Sequence, residues 1–316
     1  MPFPRYARGT GGVTECPEPL VSLIMPVWQP RPSWLHDAVA SALNQRDCAV
    51  EVIAVDDGNA APVADLLRGI GDARLRVVRI AHGGPNAARN AGIAAARGDW
   101  IRFVDADDVL VIDSTWHLAS ITKGDAVIAY GATAVTDEHL RPRYVVASAL
   151  QGNVVLPCLL GRFHTRLPAL LFPRSVVERA GPWDPAFRVS GDWDFVLRAV
   201  EHAPVVGDGR LALYYRRHGD SVTGGADIAM GERARERVIA KYFDRHPHQR
   251  GTAIERRALA AQWLDRGLQY WRAGRYGPSL DRLTRALVRD PIVAAPAVTR
   301  FALQRMQHLI GTTHTV

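Results

Sequence analysis

The run Trp100–Leu110, WIRFVDADDVL, puts three carboxylates within four positions: Asp105, Asp107 and Asp108. The mostly apolar residues 101–104 read as a short buried strand, so the carboxylates stand at its end. Carboxylates this close repel one another unless a cation or basic groups compensate. Hard oxygen ligands at a strand end suit Mg²⁺ or Mn²⁺ when the ion also holds a substrate diphosphate. Taken alone, the same residues read equally as an acidic turn or a cap before a helix at 114–120. A second apolar run upstream, EVIAVDDG at 51–58, also ends in acid, at Asp56 and Asp57. A third strand read at 210–215, RLALYY, leads into RRHGDSVTG. There Arg216 and Arg217 offer charge and Ser221 a hydroxyl to a diphosphate. His218 could complete a metal shell with the acidic cluster; read singly, it is a surface or hydrogen-bonded histidine.

These residues need a scaffold that brings them together. Val21–Val27 reads as a strand closed by Pro26 and Val27. Trp34, Leu35, Ala38, Val39, Ala42 and Leu43 then recur at helical spacing. A strand over 74–81 runs into the glycine-rich turn 82–86, and an alanine-rich helix over 87–96 stops at Gly98. The order β-α-β-α-β-α-β predicts an α/β fold, a mostly parallel sheet with helices on both faces. Ligands bind such sheets at the carboxyl ends of the strands. Pro26–Val27, Asp56–Asp57 and Asp105–Asp107 all fall there, so they should share one cleft.

Farther along, LPALLF at 167–172 reads as a strand and 174–179 as a short helix. Val196, Leu197 and Val200 form the apolar face of another helix that starts near Trp193. Asp192 falls at its first turn, where an aspartate can serve simply as an N-cap. Asp194 can act there as a charge on the helix dipole.

The length of 316 residues allows a full α/β domain and a smaller one. No apolar run reaches the roughly 18 residues of a membrane-spanning helix. The first 18 residues lack the apolar core of a signal peptide and read as a flexible lead-in. Cys16, Cys48 and Cys158 are too few and too scattered for a disulfide framework or a zinc site, which makes a reducing cytoplasm the expected location. The net charge of +7 lies toward the end of the chain: 226–316 carries 16 Lys and Arg against 8 Asp and Glu. The arginines are spaced among acids along helices, as on a solvated face, which speaks against nucleic acid as a partner. Contact with an anionic membrane surface stays open as the alternative.

The ordered set of motifs resembles the family 2 glycosyltransferases of GT-A fold, which are Rossmann-like. The matching pieces are VSLIMPVW at 21–28, VIAVDDG at 52–58, GGPNAARNAGIAAARGDWIRFVDADD at 83–108, GPWDPAFRVSGDWDFVLR at 181–198 and YRRHGDSVT at 215–223. The likeness covers about residues 19–225, leaving 226–316 as a C-terminal all-α region. Two departures stand out: the family's DDGS is DDGN here, with Asn59, and its Glu-Asp pair before the last active-site helix is Gly191–Asp192.

The resemblance implies inverting transfer of a sugar from a nucleoside diphosphate to an acceptor hydroxyl. A UDP-sugar is favoured over dTDP- and GDP-sugars, with Mn²⁺ or Mg²⁺ as cofactor. By family position Asp57 would hold the pyrimidine, and Pro26 and Val27 would contact it through their backbone. Arg89 would buttress the base and the acidic strand end, although a helix-surface arginine reads equally well. Asp105 would face ribose or metal, Asp107 would bind metal, and Asp192 would be the base. His218, Arg216 and Ser221 would close over the diphosphate, while Asn90 reads as a cap or packing residue. A nucleotidyltransferase is the rival enzyme, but it would carry a glycine-rich loop after the first strand, where this chain has PVWQPRPSW. A catalytically inactive scaffold is the rival outside enzymes, and Asp105, Asp107, Asp192 and His218 argue against it.

In the tail, residues 258–290 show two apolar stripes, Leu264, Leu268, Trp271 and Leu280, Leu283, Leu287, around an RAGRYG turn. The pair resembles a tetratricopeptide-like helical hairpin. One hairpin cannot bury both its faces. Packing on the catalytic domain, on a helix over 297–309, or on a second subunit in a homodimer all meet that need.

Overall fold

The computed structural model describes residues 20–163, 165–219 and 228–311, the last ten as backbone. The first half alternates as the apolar periods predict: β1 (Val21–Val27), α1 (Pro32–Leu43), β2 (Val50–Asp56), α2 (Val63–Leu66), β3 (Leu75–Arg79), α3 (Pro85–Ala95) and β4 (Trp100–Phe103). β1 pairs in parallel with β2 on one side and with β4 on the other, and β2 pairs in parallel with β3. The chain therefore winds out to β3 and returns across β1. That reversal opens a crevice at the carboxyl ends of β1 and β4, where such sheets bind ligands.

Beyond β4 the sheet is mixed. β5 (Val109–Leu110), α4 (Ser114–Ile121), β6 (Ile128–Thr136), β7 (Pro142–Val146), α5 (Val155–Leu159), β8 (Leu170–Pro173), α6 (Arg174–Ala180), α7 (Gly191–Val200) and β9 (Val205–Arg216) follow. The nine strands lie in the order β3-β2-β1-β4-β8-β6-β9-β5, with β7 on β6. β8 runs antiparallel to both β4 and β6, β9 runs parallel to β6, and β5 pairs antiparallel with β9. The loop 104–108 thus carries the chain from the parallel half of the sheet to the mixed half. The strand expected at 167–172 begins only at Leu170, because Leu167–Ala169 form a 3₁₀ turn. Pro168 has no amide for a ladder, and its carbonyl takes Arg102 Nε at 2.8 Å.

Each face of the sheet has its own core. Ile24, Val55, Phe103, Phe172, Trp183 and Phe195 fill one, beneath α3, α6 and α7. Leu23, Met25, Leu35, Val39, Val52 and Leu118 fill the other, beneath α1 and α4. α3 lies so close to β1 that a Cβ at Gly92 would overlap Ile24 Cγ2.

The C-terminal region comprises α8 (Ile228–Arg245), α9 (Ala253–Arg272), α10 (Tyr276–Arg289) and α11 (Pro291–Gly311). α8 packs on the body of the α/β domain: Val238, Ile239, Tyr242 and Phe243 are buried in the first core. α9 and α10 form the expected hairpin, but on different residues. Leu283 is buried, whereas Leu280 is 57% exposed and Leu264, Leu268 and Leu287 are half-buried. The seam runs through Gly267, which takes the Leu283 side chain at close range, and through Ser279, whose Oγ donates to Gly267 O at 2.8 Å. Small residues let the two backbones approach around Leu283 and leave Leu280 outside the buried face. Among the described residues no helix is long and apolar enough to cross a membrane.

Candidate active site

The ends of β1 and β2 are knitted together by side chains of the DDGN turn. Asn59 Nδ2 donates to Val27 O at 2.8 Å and to Asp56 Oδ1 at 2.7 Å, and Asn59 Oδ1 accepts from Gln29 N at 2.7 Å. An amide spans both strand ends, which a serine hydroxyl would not, so the departure from DDGS is a local reinforcement. Burial alone would raise the Asp56 carboxyl. Hydrogen bonds from Asn59 and from Val63 N, with Arg79 nearby, bring it below its ordinary value. Asp57 is also buried; its two oxygens accept from Gly83 N and Gly84 N at 2.8 and 2.9 Å. His82 Nδ1 lies 2.9 Å from Asp57, and the His82 ring stacks on Trp28, 3.8 Å between centroids. Trp28 is 43% exposed. An aromatic platform therefore flanks Asp57 where β1 ends, and the Trp following Pro26–Val27 was its signal in the sequence.

The acidic loop stands across the crevice. Arg89, buried on α3, donates from Nη2 to Asp105 Oδ1 at 3.1 Å and from Nη1 to Asn86 Oδ1 at 3.1 Å. Its guanidinium lies over the Trp183 ring, 4.7 Å from the centroid. The surface-arginine reading of Arg89 is thereby excluded. Burial pushes the Asp105 carboxyl up; Arg89 opposes that, and the charges of Asp107 and Asp192 add to it. Asp108 is fully buried and pushed well up by burial, with Asp107 and Asp105 adding. Its Oδ1 accepts from Arg216 N at 2.8 Å, while Oδ2 has no hydrogen-bond partner among the described residues.

Asp107, partly exposed, accepts from His218 Nε2 at 2.8 Å. Among the described residues no three His, Cys, Asp or Glu form a ready metal cage. Two adjacent donors on an octahedral ion with bonds of about 2.0–2.1 Å stand about 3 Å apart, so this carboxylate–imidazole pair has the spacing of two such ligands. Mg²⁺ commonly takes one or two protein ligands and completes its shell with substrate phosphates and water. The donor set fits that kind of ion.

α7 brings in Asp192. Ser190 takes the cap position in the left-handed region, φ 61°, so Asp192 is not the N-cap. Asp192 is exposed, and its Oδ1 accepts only from the adjacent Trp193 N, at 2.9 Å, among the described residues. Asp194, two residues on, is 2% exposed and ion-paired with Arg198 at 2.8 Å and Lys241 at 3.1 Å. Asp194 therefore ties α7 to α8 and faces away from the chemistry. The second departure from the family pattern also finds its reason here. A Cβ at Gly191 would overlap the Asn86 amide, which donates to Asp184 O at 2.9 Å and Phe187 O at 3.1 Å. Asn90 supports the same loop through a two-way bond with the Trp183 backbone.

Asp105, Asp107, His218 and Asp192 thus gather at one cleft, with Pro26, Val27 and Asp57 at the adjoining strand ends. Arg216 requires correction. Its guanidinium is spent inside the protein, on Asp107 O at 2.8 Å, Glu138 O at 2.6 Å and Asp37 Oδ2 at 2.9 Å, and it is 3% exposed. It braces the acidic loop and does not reach a diphosphate. Ser221 lies outside the described residues.

A Rossmann-like sheet with an acidic crevice at its switch point defines the GT-A class of fold. Residues 22–153 match the family model described as "Glycosyl transferase family 2". Over 219 residues the chain is 32% identical to "Uncharacterized glycosyltransferase EpsJ" of Bacillus subtilis (strain 168), covering 65% of this chain and 63% of that protein. It is 46% identical over 74 residues to "Succinoglycan biosynthesis protein ExoO" of Rhizobium meliloti (strain 1021), 23% of this chain and 21% of that protein. In fold it is similar to S. aureus TarS 1-349, solved in complex with UDP-GlcNAc: TM-score 0.54, 15% identity, 85% of this chain and 91% of that one. Residues 22–153 are thus similar to family 2 glycosyltransferases, and the chain has the GT-A fold. Its matches span between 35% and 63% of the first three curated relatives.

Proposed function

We propose that this protein is a metal-dependent inverting glycosyltransferase, moving a sugar from a nucleoside diphosphate, UDP first, to an acceptor hydroxyl in the cytoplasm. The observation that carries this reading is the meeting of Asp105, the Asp107–His218 pair and Asp192 at one cleft. The UDP-GlcNAc in the TarS complex supports a UDP-sugar as donor. Trp28, His82 and Asp57 receive the pyrimidine, an aromatic face beside a carboxylate. Arg89 holds Asp105 toward the ribose. Asp107 and His218 hold Mn²⁺ or Mg²⁺, which when bound neutralises charge on the departing diphosphate. Asp192, exposed and without an ion pair among the described residues, accepts the proton of the acceptor hydroxyl as its oxygen bonds to the anomeric carbon and the nucleoside diphosphate leaves. Attack from the face opposite the leaving group inverts that carbon.

A panel of nucleotide sugars, each with Mn²⁺ and with EDTA, tests the reading by thermal denaturation. A bound ligand at about 100 times its Kd stabilises by about 2.7 kcal/mol. The melting temperature should rise with UDP-sugars only when the metal is present. No shift with any nucleotide sugar would overturn the proposal.

A further inference from the structure

Next to the cleft the hairpin joining β6 and β7 borders a half-open pocket of about 240 Å³. His218 forms one wall of it, and Arg217, Arg143 and Arg141 line the rest together with Asp137 and Glu138. The volume lies below the roughly 300 Å³ at which pockets for drug-sized molecules begin, so it suits a small polyanion better than a nucleotide. The hairpin is rigid by construction. Asp137 accepts from His139 N, Arg141 N and Arg141 Nε, at 2.9, 3.0 and 2.7 Å. Arg216 fastens it to the acidic loop, donating to both Glu138 O and Asp107 O.

The charges of this pocket do not cancel. Asp137 is taken by Arg141, and Glu138 stands between Arg31 at 3.7 Å and His139 at 3.8 Å. Arg143 and Arg217 are both exposed, and neither side chain has an ion-pair partner among the described residues. Two guanidiniums facing one small cavity form a phosphate-binding arrangement, because each presents several donors to phosphate oxygens. Pro26, Val27, Asp57, Arg89 and Asp105 are all absent from its lining; His218 is the single wall it shares with the donor site.

We infer that this pocket binds a phosphate or diphosphate group carried by the acceptor, which makes the acceptor a phosphorylated molecule. The inference rests on the transferase reading for the word acceptor, but the binding site stands on its own geometry.

Calorimetry of inorganic pyrophosphate with the full chain tests it, in EDTA so that no divalent ion can hold the probe at the carboxylates. The parent protein should bind, and Arg143→Ala/Arg217→Ala should bind about tenfold or more weakly, as expected for lost charge-assisted bonds. The single variants Arg143→Gln and Arg217→Gln, which keep most of the side-chain volume, should each show part of the loss at an unchanged melting temperature. UDP binding with Mn²⁺ should be the same in Arg143→Gln as in the parent. Equal pyrophosphate affinity in parent and double variant, or none in the parent, would overturn the site. A parallel loss of UDP–Mn²⁺ affinity in Arg143→Gln would overturn the acceptor assignment, since the pocket would then serve the donor's own diphosphate. A parent protein that binds pyrophosphate but no nucleotide would instead sink the transferase reading and leave the site standing.

Discussion

At the end of β2, all four oxygens of Asp56 and Asp57 are met by the protein: Asn59, Val63 N and Arg79 serve the first, and Gly83 N, Gly84 N and His82 the second. At the end of β4, Asp105, Asp107 and Asp108 each have a protein partner on one oxygen only, among the described residues. The same contrast recurs within one turn of α7, where Asp194 is ion-paired and buried and Asp192 is exposed. The two strand ends look alike as sequence, an apolar run closed by aspartates, yet one is a finished joint and the other leaves one oxygen of each carboxylate without a protein partner among the described residues. Strongly perturbed carboxylates such as Asp105 and Asp108 cluster at functional sites. The difference separates carboxylates whose oxygens the fold already engages from carboxylates that keep an oxygen without a protein partner among the described residues.

The contrast makes its boldest claim at α7. Asp192→Asn should leave stability and UDP–Mn²⁺ binding unchanged and slow transfer by roughly 10²–10⁴-fold, the usual worth of a positioned acid or base. Steady-state kinetics with the identified donor would show it, and full activity in this variant would end the distinction. Asp194→Asn should do the reverse. Removing one member of a buried ion pair costs roughly 3–5 kcal/mol, so its denaturation midpoint should fall sharply while residual folded protein still binds UDP.

The strand ends provide the next pair of tests. Asp107→Asn should weaken Mn²⁺-dependent UDP binding by at least the roughly 10–100-fold that follows loss of groups supporting a metal, with the melting temperature of the metal-free protein intact. Asp57→Ala should weaken UDP by roughly 1–3 kcal/mol, the cost of a buried polar partner left unpaired, while metal dependence persists. Calorimetry on both variants would collapse the comparison if Asp57→Ala abolished the metal effect and Asp107→Asn did not.

The smallest effect concerns pH. Asp56 ionises below its ordinary value of 3.8 in the folded protein. Its contribution to stability is therefore complete above that pH and lost as the pH falls through its lowered folded value. Urea titrations between about pH 5 and pH 2 should show a shallower acid-side decline in Asp56→Asn than in the parent. An identical decline would mean that the β2 joint is not held by this carboxylate.

Much of this was legible in one dimension, because periodicity and strand ends are local properties. The alternation of apolar runs set β1 to β4, α1 and α3 within a few residues, and with them the rule that Pro26–Val27, Asp57 and Asp105–Asp107 share a crevice. The DxD, the downstream Asp192 and the histidine after the last strand carried the resemblance to a family, and that resemblance supplied the chemistry expected of them. What stayed hidden depends on which side chain meets which across the fold. Arg216 and Arg217 are neighbours with identical charge, yet strand alternation turns one into the protein as a brace and leaves the other facing solvent beside Arg143. Asp192 and Asp194 are two residues apart on one helix, and only the arrival of Lys241 from α8, nearly fifty positions later, decides which of them is consumed. The hairpin seam kept Leu283 but left Leu280 exposed, because Gly267 permits a close approach that hydrophobic periodicity does not encode. Sequence specified the residues capable of chemistry; the tertiary structure decided which remained available, since availability is the sum of contacts made by chain segments far apart in order.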